Sequence, residues 1–209
     1  MNSLTVLLEN TQAELKSVSV EHGLSLLFRV DDRSFLFDTG ATGIFTANAR
    51  LLNVPLDDLE CVVISHAHYD HAGGFASFAE KYRVRKLVTG PDFFLPKYNF
   101  LNGAFTYLGA SFDKAFLASR GIAHRECSGC LQLSDSLYAF SGFVRTHPFE
   151  TISERFVKGK LDAPVHDNFD DEICLVYDGG ASLTIVVGCS HPGILNITAS
   201  VAAHFGKPV

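Results

Sequence analysis

The chain has 209 residues, of which 47% are hydrophobic and 19% charged, a composition that supports a packed core and argues against disorder. Its net charge of -6 argues against a nucleic-acid groove or an anionic membrane surface. No apolar run approaches the ~20 residues needed to cross a bilayer, and the N-terminus lacks the basic start of a signal peptide. We therefore expect a cytoplasmic protein that forms one domain over residues 1–209.

The chain begins with β structure. Residues 4–8 form a short apolar run that predicts a buried strand. Residues 24–30 and 35–37 are apolar runs around the turn residues 31–34, and they predict a hairpin. Helical spacing over residues 41–52 predicts the first helix.

Strands and helices then alternate. We expect a helical turn over residues 56–60, a strand over 61–65, a helix over 75–82 and a strand over 86–90. Residues 92–118 are rich in Phe and Tyr, and we expect most of these side chains to pack in the core. The polar residues between them suggest, as an alternative, a partly exposed, loop-like cover that lines a pocket.

The last third returns to β structure. Residues 173–177 and 183–187 flank Asp178-Gly179-Gly180, which predicts a hairpin, and residues 194–205 predict a helix. Cys127 and Cys130 form a CxxC pair without a second Cys/His pair nearby. We interpret them as ordinary reduced thiols in or beside a strand.

A polar cluster, His66-x-His68-x-Asp70-His71, follows the apolar strand predicted at 61–65. His66 and His68 are two residues apart, so on an extended segment they face the same side and share one metal. Asp70 and His71 lie on the turn that follows, where they face a second metal. Without metal these groups would be polar side chains beside the core with no evident partner, so the cluster indicates metal binding.

Two further residues follow apolar strands in the same way. His191 lies in Gly188-Cys189-Ser190-His191-Pro192-Gly193 after a predicted strand, and because strand ends converge on one sheet edge we expect it to be a ligand. Asp38 follows Leu36-Phe37 and is predicted to hold an imidazole tautomer from behind the ligands. A helix N-cap or turn role is the alternative for Asp38. We interpret the five other histidines as surface or core residues.

These motifs resemble the metallo-β-lactamase superfamily, and within it a branch described as dihydropterin-ribofuranosylaminobenzene phosphate synthase-like. The resemblance spans almost the whole chain and rests on residues 7–10, 22–25, 36–40, 65–74 and 188–194. It implies an α/β fold, an αββα sandwich with mixed sheets. It also implies that His66 and His68 bind the first metal, that Asp70 and His71 bind the second, and that His191 is a further ligand.

Proteins of that branch continue past the last helix into a strand whose histidine completes the second site, whereas this sequence stops at Val209. From this we expect the last strand of the fold to be missing. The sheet edge left exposed would favour a homodimer.

The resemblance and the cluster together predict a metal-dependent hydrolase in which a metal-activated water attacks an ester, phosphoester or related bond of a small-molecule substrate. Asp70 is expected to orient that water, with Asp38 supporting it. Zinc, as one or two ions, suits the imidazole-rich set, with iron or manganese as alternatives. Two other functions stay open: a non-catalytic metal-binding protein and a di-iron redox relative.

Overall fold

The structure is a computed structural model that describes residues 2–12, 14 and 16–209. The helices of this part of the chain are α1 (Phe45–Leu51), α2 (Tyr69–Ala72), α3 (Phe75–Lys81), α4 (Lys114–Ser119) and α5 (Ile194–Phe205). The strands are β1 (Ser3–Leu8), β2 (Ser25–Val30), β3 (Arg33–Phe37), β4 (Leu59–Val63), β5 (Lys86–Thr89), β6 (Lys97–Leu101), β7 (Ala104–Tyr107), β8 (Ala123–Glu126), β9 (Cys130–Gln132), β10 (Leu137–Phe140), β11 (Phe156–Lys158), β12 (Val165–His166), β13 (Cys174–Asp178) and β14 (Leu183–Val186).

The first sheet is mixed and has the strand order β1-β2-β3-β4-β5-β8. β1, β2 and β3 pair antiparallel, whereas β3, β4, β5 and β8 pair parallel. Its central strands are buried on both faces: Leu36 of β3 packs in one core, and its neighbours Phe35 and Phe37 pack in another. The parallel strands β3 and β4 direct their carboxyl ends to the same edge of the sheet, where the polar segments follow.

The second sheet has the order β14-β13-β10-β9, is antiparallel, and packs face to face with the first. Residues of both sheets share one apolar core, which contains Phe37 and Val63 from the first sheet and Ala139 and Leu175 from the second. Helices α1, α3 and α4 cover the outer face of the first sheet. Helix α5 covers the outer face of the second through Ile197 and Val201. The expected αββα sandwich with mixed sheets is therefore confirmed.

A third, small antiparallel sheet has the order β12-β11-β6-β7. Its strands β6 and β7 come from the aromatic-rich segment, and β11 and β12 come from residues 156–166. The alternative of a loop-like cover is therefore wrong for residues 97–107, which form a hairpin. Asn102 and Gly103 adopt φ angles of 53° and 77°, so they form the two-residue turn that joins β6 to β7. Phe93 and Phe112 of the same segment are buried in the core beneath the helices.

Two other predictions are corrected near α1. The helix begins at Phe45 and not at residue 41, because Glu21 accepts hydrogen bonds from the backbone N–H groups of Ala41 and Thr42 and holds them in a turn. No helical turn forms over residues 56–60. Leu59 is buried and pairs with Ser34 as the start of β4, so tertiary pairing replaces the local helical preference.

The other elements whose bounds were predicted agree with the structure to within two residues, and α5 spans the predicted residues 194–205. No bounds were predicted for α4, β9 or β10. Over the described residues, no helix is both long enough and apolar enough to span a membrane. The single domain, the further C-terminal strand and the homodimer stay predictions.

Candidate metal centre

Three segments that follow strands meet at one edge of the sandwich. Asp38 follows β3, the His66–His71 segment follows β4, and His191 follows β14. The histidine segment is extended up to His68, whose backbone (φ -65°, ψ 145°) precedes the short helix α2. His66 and His68 therefore project from an extended stretch, while Asp70 and His71 project from the first turn of a helix.

His66, His68 and His191 form a group whose nearest ligand atoms all lie within 4.8 Å of one another. Their ring centroids are separated by 4.7 to 5.2 Å. Within the described part of the chain, the buried Nε2 atoms of His66 and His191 have no hydrogen-bond partner. Buried polar atoms are normally satisfied, so two convergent unpaired nitrogens fit a bound metal ion.

The protonation of these three rings also suits a metal. Burial lowers the pKa of His66 well below its ordinary value, and the neighbouring imidazoles lower it further. Burial likewise lowers the pKa of His68 to about 4 and that of His191 to about 3. All three rings are neutral at pH 7, which is the form that donates a lone pair to a metal.

A second group lies on the other side of His66. His71 Nε2 is 3.2 Å from Cys189 Sγ and 3.4 Å from Asp70 Oδ2. One ligand atom from each of His66, His71 and Cys189 also lies within 4.8 Å of the other two. His22 Nε2 lies 3.3 Å from Asp70 Oδ2. One nitrogen lone pair serves one ion, so His66 Nε2 belongs to one group at a time. The second group then consists of Asp70, His71 and Cys189, with His22 beside it.

Asp38 lies beneath this second group and is fully buried. Its Oδ2 is 2.6 Å from His71 Nδ1 and accepts a hydrogen bond of 2.8 Å from the Ser65 hydroxyl, while its Oδ1 accepts from the Ser65 backbone N–H. Burial lowers the pKa of His71, but the charge and hydrogen bond of Asp38 outweigh it and, with other hydrogen bonds, raise that pKa well above its ordinary value. Asp38 thus directs His71 Nε2 towards Asp70 and Cys189.

The segment that carries His191 is held by Glu172 and Phe169. The carboxyl oxygens of Glu172 accept hydrogen bonds from the backbone N–H groups of Ser190 (2.6 Å) and His191 (2.9 Å). The ring of Phe169 stacks on the His191 imidazole at 3.8 Å with an interplanar angle of 17°. His191 is therefore oriented from its backbone and from one face of its ring.

A cavity of about 320 Å³ opens beside the second group. It is lined by Glu9, Asn10, Thr11, His22, Gly23, Leu24, Asp70, His71, Gly188 and Cys189. Its size lies at the lower end of the range for small-molecule sites. The lining contains no lysine or arginine among the described residues.

The structure brings together every residue proposed from the sequence, namely Asp38, His66, His68, Asp70, His71 and His191. Their roles as ligands or in catalysis stay predictions. Sequence reasoning missed Cys189 and His22 as members of the second group, although Cys189 lies two residues before His191 and offered a signal.

Among the described residues, the cysteines of the CxxC pair are both free and belong to neither group of candidate ligands. Cys127 is buried after β8 and Cys130 lies in β9, as expected for thiols in or beside a strand. Burial raises the pKa of Cys127 to about 11, which is opposite to the low pKa of a reactive redox thiol.

A mixed αββα sandwich with two neighbouring groups of metal-ligand side chains at one sheet edge defines a metallohydrolase-type fold. Residues 18–190 match the family model of the metallo-beta-lactamase superfamily, and the chain belongs to that superfamily. The solved structure of Tm1679, a metal-dependent hydrolase of the beta-lactamase superfamily, is similar over 99% of this chain and 73% of its own, with a TM-score of 0.80 and 26% identity.

Two proteins of Methanocaldococcus jannaschii are similar in sequence. The uncharacterized protein MJ0448 is 29% identical over 197 residues, which cover 93% of this chain and 72% of that protein. The 7,8-dihydropterin-6-methyl-4-(beta-D-ribofuranosyl)-aminobenzene-5'-phosphate synthase is 28% identical over 193 residues, covering 85% of this chain and 64% of the synthase. The chain thus spans less than two thirds of the synthase. These similarities confirm the resemblance that was inferred from the motifs.

Proposed function

We propose that this protein is a metal-dependent hydrolase of small molecules, acting on an ester, phosphoester or related bond. The observation that carries the proposal is the convergence of His66, His68 and His191, with two buried Nε2 atoms that lack a partner in the described chain. The likeness to Tm1679 supports the same class of activity.

His66, His68 and His191 would hold one ion, and Asp70, His71 and Cys189 a second. Imidazole and thiolate ligands favour zinc over iron or manganese. A metal bound in such a site supplies Lewis-acid chemistry, because it lowers the pKa of a water molecule and polarises a substrate oxygen.

In the proposed mechanism, Asp70 would orient the attacking water. Burial raises the pKa of Asp70, but the hydrogen bond and charge of His71 outweigh this and lower it, so the carboxylate is ionised at neutral pH. It also lines the cavity of about 320 Å³, where a small substrate would bind. Asp38 is fully buried and acts through His71, as a positioning residue.

The first test is metal content per chain in the wild type and in a His68→Ala variant, measured by elemental analysis after purification with zinc. We expect the variant to lose about one ion, because one of three converging imidazoles is removed. His204→Ala is the matched control, since this exposed histidine on α5 packs against Phe140 and Phe205 and not at the site. Equal metal content in wild type and His68→Ala would contradict the ligand assignment.

Turnover separates an enzyme from a metal-binding protein. The metal-loaded chain would be assayed against phosphodiester, lactone and thioester substrates, with His68→Ala as the inactive comparison. A fully loaded protein that hydrolyses none of them would favour a binding role. Two iron atoms per chain, with a reversible change in their absorption spectrum on reduction, would favour the redox alternative.

A further inference from the structure

Lys97 is a buried cation in β6 with only 1% of its side chain exposed. Its Nζ lies 2.7 Å from Asp167 Oδ2 and 2.8 Å from Asp171 Oδ1, and these carboxylates are equally buried. Lysine is rarely so buried, and desolvating three charged groups costs more than their pairing alone usually returns. Such a cluster next to a candidate site suggests a positioning role.

Asp171 connects this cluster to the histidine segment. While Oδ1 accepts from Lys97, Oδ2 accepts a hydrogen bond of 2.8 Å from the backbone N–H of Ala67, the residue between His66 and His68. Each oxygen of this carboxylate thus has one specific donor. Asp171 thus links the Lys97 ammonium group to the backbone between the two histidines.

Phe169 connects the same cluster to His191. Lys97 Nζ lies 5.2 Å from the centre of the Phe169 ring, which stacks on the His191 imidazole. The backbone N–H of Phe169 also donates to Asp167 Oδ1, the second carboxylate bound by Lys97. The ring against His191 is therefore held by the same ammonium group from above its face and through Asp167.

We propose that Lys97 is a positioning residue for the three-histidine site, acting on the His66–His68 segment through Asp171 and on His191 through Asp167 and Phe169. The proposal rests on the proposed function, because it requires that these histidines bind a metal. It adds a residue from the third sheet, which contributes no ligand of its own, to the machinery of the site.

Lys158 is a matched control within the same sheet. It lies opposite Lys97 in the pairing of β11 with β6, is also buried, and pairs with Asp92 (3.3 Å) and Asp170 (2.8 Å). Among the described residues, the side chains of Asp92 and Asp170 accept no hydrogen bond from the histidine segments. Its carboxylate partners are about half exposed, so the pairs differ in burial, but Lys158→Met removes a buried lysine of the same sheet without touching the site.

The experiment is titration of the metal-free full chain with Co²⁺, followed by its visible d–d absorption, for wild type, Lys97→Met and Lys158→Met. We expect Lys97→Met to weaken Co²⁺ binding about tenfold or more and to shift the d–d bands, which report ligand geometry and not general stability. Lys158→Met should keep both the affinity and the bands of the wild type, even if it lowers the melting temperature.

Asp171→Asn decides the question if circular dichroism shows that Lys97→Met does not fold. The amide is the same size but has one acceptor oxygen, so it cannot serve both Lys97 and Ala67, and it should produce a similar loss of affinity and a band shift. A folded variant with wild-type affinity and bands would overturn the role of Lys97. A wild type that binds no Co²⁺ would instead overturn the proposed function, and the inference with it.

Discussion

Asp38 is a single buried carboxylate on which the second group of ligands depends. It accepts hydrogen bonds from the Ser65 backbone and hydroxyl, and its Oδ2 lies 2.6 Å from His71 Nδ1. Asp38→Asn keeps the size of the side chain but replaces one acceptor oxygen with an NH₂ group. We expect it to weaken metal binding at Asp70, His71 and Cys189 about tenfold or more, because His71 loses its orienting partner.

Two-site titration with zinc measures this effect, since the three-histidine site should keep most of its affinity. Asp178→Asn is the control, because Asp178 also ends a strand but pairs with Lys207 away from the site. Equal weakening at both sites would show that Asp38 supports the whole edge of the sandwich and not His71 in particular.

At the level of elements, the site depends on how closely the end of β14 approaches the end of β4. A Cβ atom added to Gly188 would lie 2.3 Å from Ser65 Oγ and 2.8 Å from Ser65 Cβ. We expect Gly188→Ala to lower the free energy of unfolding by about 1–3 kcal/mol, because one of the two segments must move.

Chemical denaturation of the metal-free protein measures this change. The rescue variant is Ser65→Gly/Gly188→Ala, which removes both colliding atoms, and the two substitutions should couple in a double-mutant cycle. If their effects are additive, the two strand ends are further apart than the structure indicates, and the contact is not what limits position 188.

The strand ends were also the part of the site that could be predicted. His66, His68, Asp70 and His71 are close in sequence, and His191 and Asp38 each follow an apolar run, so local pattern and sheet geometry were sufficient. The third sheet was not predicted, because the many aromatic residues obscured the turn signal of Asn102-Gly103. Lys97, which that sheet contributes, was therefore missed as well.

At the scale of the whole molecule, the layers could be predicted and the contacts between them could not. The αββα sandwich was implied by the resemblance to the superfamily, whereas the apolar runs and the helical spacing by themselves predict only the individual strands and helices. The pairing of Lys97 with Asp171 joins residues 74 positions apart, one in the third sheet and the other in the turn before β13. No local pattern encodes such a pair, because its partners are chosen by the packing of complete layers.

The same packing makes the metal-free molecule sensitive to acid. In the folded state burial lowers the pKa of His68 to about 4 and that of His191 to about 3, and it lowers that of His66 well below 6.5. Below pH 6.5 the unfolded chain binds protons at these rings that the folded chain excludes. Stability from these groups is therefore present above pH 6.5 and is lost as the pH falls towards 4, by up to ~1.4 kcal/mol per proton and pH unit.

Glu172 works in the opposite direction and offsets part of this loss. Burial raises its pKa to about 8, so between pH 4.5 and 8 the folded chain keeps a proton that the unfolded chain releases. Burial also raises the pKa of Asp171, which acts in the same direction as Glu172. With three histidines against these two carboxyl groups, we expect the free energy of unfolding of the chelator-stripped protein to fall between pH 6.5 and 5. The free energy of unfolding of His68→Ala, which has one buried imidazole fewer, should fall less steeply with decreasing pH, by a slope of about one proton. That of the control His204→Ala should follow the wild type. Denaturant titrations at several pH values measure these slopes. Equal slopes for wild type and His68→Ala would mean that the His68 ring takes up its proton as readily in the folded chain as in the unfolded one, and that it is not held neutral beside His66 and His191.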